Sequence, residues 1–193
     1  MDAKSIVNLG LGKIAASRVS SISPPKSPIE RHVAEGYPQW RDSELQKRTW
    51  VFSLWYQPLT AVSTDNDIAN EGRKYQFALP NDLLKPIRDR HTEWEIRGPF
   101  LFSSQSTVIL PYVRRVSEAL FPALFVDVLA ARVAMESVEY ATQSNTKADA
   151  VEAKHYVPAI TEAGKANAFV VGPQDQRLDD ENSEWITARF GAC

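Results

Sequence analysis

Phe121-Pro122-Ala123-Leu124-Phe125-Val126-Asp127-Val128-Leu129-Ala130-Ala131-Arg132-Val133-Ala134 decides how the rest of the chain is read. Proline is tolerated in a first helical turn, because the N–H it lacks would have no partner there. Beyond it, Leu124, Phe125, Val128, Leu129, Val133, Met135 and Val138 predict a helix apolar around much of its circumference. Such a helix has to be covered on more than one side. Ser144-Asn145-Thr146 interrupts it, and an amphipathic segment follows from Lys147 to about Asn167, bent or broken near Pro158.

Two helical segments precede it. Ile6, Leu9, Leu11 and Ile14 fall at mostly helical spacing between Ala3 and Ser17, with Asp2 placed to cap them. Gly10 and Gly12 weaken that helix by roughly 1 kcal/mol each relative to alanine, and close packing of another helix is the reason they suggest. After the break at Ser20-Ser21-Ile22-Ser23-Pro24-Pro25, Ser27-Pro28-Ile29-Glu30 reads as a helix start: cap, first-turn proline, and a glutamate three residues after the cap. Ile29, Val33, Tyr37 and Trp40 share one face, and Gly36-Tyr37-Pro38 predicts a kink or division before about Arg48.

The middle changes character. Trp50-Val51-Phe52-Ser53-Leu54-Trp55-Tyr56 is densely aromatic and calls for burial, whereas residues 61–74 read as an exposed polar loop. Tyr75 to Leu79 alternates with period two; Trp94 to Arg97, Phe100 to Ser103 and Thr107 to Leu110 are further strand candidates. Together they predict a small antiparallel sheet over residues 75–113. From Gly172 onward, Asp175, Asp179, Asp180, Glu181 and Glu184 make a segment too polar to bury itself in a monomer. It leads to Trp185, Ile186 and Phe190, apolar anchors of an arm expected to order on a partner.

With 193 residues, 44% of them hydrophobic and 24% charged, the chain suits one ordinary domain with a real core, and its length leaves room for a second small subdomain. A net charge of −2 and a pI near 6.0 argue against tight binding to nucleic-acid phosphates. Cys193 is the one cysteine, so packing, or packing plus neighbouring subunits, must hold the fold without an intrachain disulfide. There is no apolar run long enough for a membrane span and no signal-peptide pattern at Met1-Asp2-Ala3-Lys4, so synthesis and assembly in a reducing cytoplasm is expected.

Chemistry-bearing patterns are scarce. His32, His91 and His155 lie far apart with no metal-ligand spacing, and His32 and His91 are expected at the surface. Gly10-Leu11-Gly12-Lys13 lacks the four intervening residues and preceding strand of a phosphate loop. Asp65/Asp67 and Asp179/Asp180 lack the glycine turn and distal glutamate of a calcium loop. Arg88/Arg90 and Arg114-Arg115 are short basic pairs, suited to solubility or ion pairing. No catalytic residue, metal site or cofactor is expected. Trp50, Phe52, Trp55, Phe121 and Phe125 are candidate core or subunit-interface residues, since aromatics without a basic stripe serve packing and contact.

Read in order, these pieces resemble the head-to-tail adaptor (connector) family of short-tailed bacteriophages, the tail tubular protein A-like proteins. The likeness runs through Trp50-Val51-Phe52, Tyr75-Gln76-Phe77-Ala78-Leu79-Pro80-Asn81-Asp82, Trp94-Glu95-Ile96-Arg97-Gly98, Leu110-Pro111-Tyr112-Val113 and the Phe121 to Ala134 helix. Phe52-Ser53 and Gly98-Pro99 depart from the family pattern. The resemblance implies a mainly α fold with a small β insertion: a helical bundle from residues 3–50 and 114–168 within an adaptor domain of residues 1–172, a β-rich insertion over 75–113, and an extended C-terminal arm over 173–193. It implies a homo-oligomeric ring, expected as a dodecamer, between the portal protein and a tail nozzle or other tail protein. The arm's Trp185, Ile186, Phe190 and Arg189 would dock on the portal, and genomic DNA would pass through the channel without specific binding. The protein would belong to the virion's neck or tail, assembled in the host cytoplasm. The competing readings are a neck or tail-completion protein of another phage class, a small nucleic-acid-binding regulator, and a hydrolase with an unrecognised site.

Overall fold

The computed structural model describes residues 1–63, 72–88, 93–142 and 146–171. Its helices are α1 (Ala3–Lys13), α2 (Pro28–Lys47), α3 (Ala123–Thr142), α4 (Thr146–Val151) and α5 (Val157–Val171). Its strands are β1 (Leu54–Leu59), β2 (Ala61–Ser63), β3 (Tyr75–Ala78), β4 (Leu83–Pro86), β5 (Trp94–Arg97), β6 (Phe100–Ser103) and β7 (Val108–Arg114).

The apolar segment at Phe121 to Val138 becomes α3, and α1, α2, α4 and α5 all lie against it. Asp2 caps α1 by accepting from the Ser5 N–H at 2.9 Å, and Ile6, Val7, Gly10 and Leu11 turn to α3. At Gly10 the two backbones nearly touch: a Cβ there would stand 2.5 Å from the Ala130 carbonyl oxygen and 2.8 Å from Val133 Cβ. Gly12 faces open space. Close packing therefore explains Gly10 and not Gly12, and Leu9 is exposed.

Ser27 and Glu30 form the capping box in full. The Glu30 carboxylate does more, because it also gathers the preceding loop. Its Oε2 accepts from the N–H groups of Lys26 (2.6 Å) and Ser27 (3.0 Å). Its Oε1 accepts from the Ser20 N–H (2.8 Å), the Ser20 hydroxyl (2.9 Å) and the Ser21 N–H (3.2 Å). These donors, the Lys26 and Ser20 amides foremost, hold its pKa down at about 2. The helix that follows is not divided at Pro38; α2 runs on to Lys47, with Val33, Tyr37 and Leu45 buried on either side of the proline. His32 is not a plain surface residue. Its ring stacks on Tyr140 of α3 at 4.7 Å, and Nε2 lies 3.3 Å from the Glu136 carbonyl oxygen.

The expectation of a mainly α fold with a small β insertion is overturned. Strand accounts for 21% and helix for 53% of the described residues, a mixed α/β composition with an ordinary globular share of strand. Among the described residues, seven antiparallel strands form two sheets, ordered β1-β7-β4 and β2-β3-β6-β5. The β region therefore reaches beyond residues 75–113 at both ends, and Ala61–Ser63 is strand and not loop. β1 was hidden because Leu-Trp-Tyr-Gln-Pro-Leu has no clean alternation and contains Pro58, which an edge strand tolerates. Pro111 lies in a central strand, at the point where the ladder to β4 runs out and the Ile87 N–H donates to its carbonyl oxygen. β7 joins two cores: Val113 belongs to the helical one, and Val108, Leu110 and Tyr112 to one between the sheets with Phe77, Trp94 and Leu101.

Between α4 and α5 the helix widens into a π turn, Glu152–Tyr156, where the Val157 N–H donates to the Glu152 carbonyl five residues back. Pro158 follows in the first turn of α5, so the helical run continues past it without breaking.

Two outcomes test this description. Gly10→Ala should lower stability by about 1–3 kcal/mol through overpacking against Ala130 and Val133, while Gly12→Ala should raise it by about 0.5–1 kcal/mol; denaturant unfolding measures both. Because Glu30 has a folded pKa below its ordinary value of 4.5, its contribution is present above that value and is lost as the pH falls toward about 2. Unfolding free energies between pH 6 and 2, in the native chain and in Glu30→Gln, should therefore converge at the acid end.

Candidate interaction surface

Trp50 lies where the chain leaves α2 for β1. Its indole is buried, and Nε1 donates to the Glu44 carbonyl at 2.9 Å. From that fixed position it meets Phe125 edge-on, with ring centroids 5.1 Å apart. Phe52 lies 4.9 Å from Phe125, and Phe121 lies 4.9 Å from Phe125 and 5.8 Å from Phe52. Four of the five aromatics singled out from the sequence thus belong to one cluster, and such geometry adds about 0.5–1.5 kcal/mol per pair beyond burial alone. Trp55 stands apart, 46% exposed on β1 with the Arg114 guanidinium 4.3 Å from its ring centre.

Beneath Trp50 lies a charged group that no spacing rule would have found. Glu44 is wholly buried; it accepts from Lys47 Nζ at 2.7 Å and from the Tyr156 hydroxyl at 3.0 Å, with Arg132 Nη1 at 3.7 Å. Arg132 pairs in turn with Glu136 at 2.5 Å. Burial raises the Tyr156 pKa, and the Lys47 hydrogen bond opposes that rise. A buried carboxylate is tolerated only with partners of this kind, and here they join α2, α3 and the π turn. Among the partners of Glu44 itself, Lys47 alone, three residues along the same helix, is local in sequence.

Above the aromatic cluster an open groove of about 270 Å³ is lined almost wholly by carbon: Trp50, Phe52 and Phe125 on one side, Ala166 and Val170 of α5 on the other. Asn167 fixes its width. Its side-chain amide donates to the Thr49 carbonyl at 3.0 Å and accepts from the Val51 N–H at 2.9 Å. Beside the groove, Phe169 is 90% exposed.

A second apolar surface lies on the β1–β7 ladder. Facing residues of paired strands share a side of the sheet, and Trp55, Gln57 and Leu59 oppose Tyr112, Leu110 and Val108 of the inter-sheet core. The other side carries Tyr56 and Pro58 against Pro111 and Ile109. Tyr56 and Ile109 are exposed by more than half.

The remaining sequence candidates divide into two groups. Arg115 pairs with Asp42 at 2.7 Å, and Arg88 donates to the Trp94 carbonyl with its guanidinium over the Trp94 ring, so both take intrachain roles. Trp185, Ile186, Arg189, Phe190, the rest of the arm, Asp65, Asp67, Asp179, Asp180, Arg90 and His91 lie outside the described residues. Among the described residues no group of three His, Cys, Asp or Glu could hold a metal, and no helix is long and apolar enough to cross a membrane.

Core and surface aromatics should separate cleanly on truncation. Phe125→Ala is expected to destabilise by about 3–5 kcal/mol, and Trp55→Ala by no more than about 1 kcal/mol, as read by denaturant unfolding. The chain matches no family model, and no curated protein matches it in sequence.

Proposed function

We propose that the chain is a structural component of a tailed-phage virion, a head-to-tail adaptor that assembles as a ring between portal and tail nozzle. The supporting observation is the outward side of the β1–β7 ladder, where Tyr56, Pro58, Pro111 and Ile109 place apolar surface side by side. Single exposed apolar residues are ordinary; a contiguous set marks a contact surface. Pro58 removes a donor from the β1 edge, so the face and not the edge is the sticky element. In a ring, that face would meet a different patch on the next copy, and the same pair of patches would repeat until the circle closes. Trp185, Ile186, Arg189 and Phe190 enter as portal anchors on their sequence and the family resemblance alone. In this reading the chain carries out no reaction and needs no cofactor, and DNA passes it without specific contacts.

One observation favours a second reading, nucleic-acid binding. Lys13, Lys147, Lys154 and His155 line one shallow cavity of about 210 Å³. Burial, and then the charges of Lys13 and Lys154, lower the His155 pKa. Three lysine charges beside a histidine biased toward its neutral form, against an overall net charge of −2, make this the weaker account.

The test is to mix the full chain with the portal protein of its own genome and image the product. A ring seated on the portal is the expected result. Tyr56→Asp with Ile109→Asp should prevent ring closure while the circular dichroism of the monomer is retained. Trp185→Ala should weaken attachment on the order of 30-fold, the loss typical of an interface hot spot. A chain that stays monomeric beside the portal and is absent from virions would sink the proposal. DNA binding that falls steeply with salt would shift the balance to the second reading.

A further inference from the structure

The groove over the aromatic cluster is open and apolar, and its place in the fold points to an occupant. Val170 lines the groove, and α5 ends at the next residue. Residues 172–193 follow directly in the sequence. Fourteen positions separate Val171 from Trp185, on the order of 45 Å of extended chain, ample for a return to the groove. That segment carries Trp185, Ile186 and Phe190, its large apolar side chains apart from Leu178. We infer that Trp185 of the C-terminal segment docks into the groove between Trp50, Phe125 and Val170 of its own chain.

Size, polarity and charge agree with this. An apolar cavity of ~150 Å³ holds a benzene-sized ring, so about 270 Å³ of open groove accommodates an indole with part of a neighbouring side chain. The lining offers almost no polar atom, which suits a ring and disfavours the acidic stretch before it. That stretch has its own counterpart. Residues 172–193 hold Asp175, Asp179, Asp180, Glu181 and Glu184 against Arg177 and Arg189, a net −3, which leaves +1 on the rest of the −2 chain. Arg48 lies over Gly164 of α5 so closely that a Cβ there would strike its guanidinium, and Lys165 is the next residue. Both are exposed beside groove-lining Ala163 and Ala166, and α5 has Glu162 as its acid. The acidic run can lie along this basic shoulder while the indole enters the groove. In-chain docking leaves the portal out of account, so it stands or falls apart from the adaptor reading. Were both to hold, the portal would have to draw Trp185 out of the groove.

The lone cysteine makes the test direct in the full chain. A nitroxide on Cys193 of isotope-labelled protein should broaden the Trp50 indole N–H, the Leu124 methyls and the Ala166 and Val170 signals. Trp185→Ala should shift the docking equilibrium on the order of 30-fold toward the open form and restore those signals. Val170→Asp should do the same from the groove side; Val170 is largely exposed, so the variant keeps its fold, which circular dichroism verifies. Groove signals equally sharp with oxidised and reduced nitroxide would overturn the inference, as would broadening that survives Trp185→Ala. Mixing spin-labelled, isotope-free chain with isotope-labelled, spin-free chain separates the sources. Broadening in that mixture would mean that a second copy fills the groove, which also overturns the in-chain proposal.

Discussion

Everything in the helical half follows from the demand that α3 be covered on every side. Val128, Leu129, Ala130 and Ala131 are consecutive, and all four are fully buried. At about 100° per residue, four neighbours sample the whole circumference, so no single partner could have sufficed. α1, α2, α4 and α5 share the work, and each is shaped by how near it must come. On the α3 side the small Ala130 admits the closest approach, and Gly10 answers it from α1. The larger Phe125 fills the broader space toward Trp50.

The sheets depend on the same arrangement at one remove. β7 carries residues of both cores, so its register ties the inter-sheet core to the helices. Val113 faces Leu54 at the start of β1, immediately after the Trp50–Phe52 turn, and the aromatic cluster is thus bracketed by strand on one side and helix on the other. Glu44 secures that junction from below. Its ion pairs do not stabilise much in themselves, but removal of one partner would strand a buried charge.

Local patterns were legible in the sequence and long-range ones were not. The capping box at Ser27 and Glu30, the strands at 94–97 and 100–103 and the all-round apolarity of α3 rest on short, periodic rules, and the structure follows them. β1 and β4 escaped because neither alternates and each contains a proline; that omission, with the family pattern, tilted the expected fold toward helix. Trp50, Phe52, Phe121 and Phe125 were visible as aromatics in need of company, yet nothing in the spacing says that the pair at 50 and 52 meets the pair at 121 and 125. The groove was invisible for the same reason, since it exists only where three distant segments converge. The loop-gathering role of Glu30 was likewise hidden, because three of its donors belong to Ser20 and Ser21, which lie 10 and 9 residues before it in the chain.

The π turn at Glu152–Tyr156 acts as a phase adjuster. An extra residue within one turn rotates everything after it by roughly 100° relative to an uninterrupted α-helix. That rotation lets Tyr156 reach Glu44 while Ala163, Ala166 and Val170, farther along the same rod, still look toward Phe125. Deleting one residue there would leave every side chain of α5 in place along the sequence and swing its carbon face away from the aromatics. The shape of the groove is in this sense encoded in a count of residues some distance from it, and a lineage that altered the count would have to rebuild the whole contact.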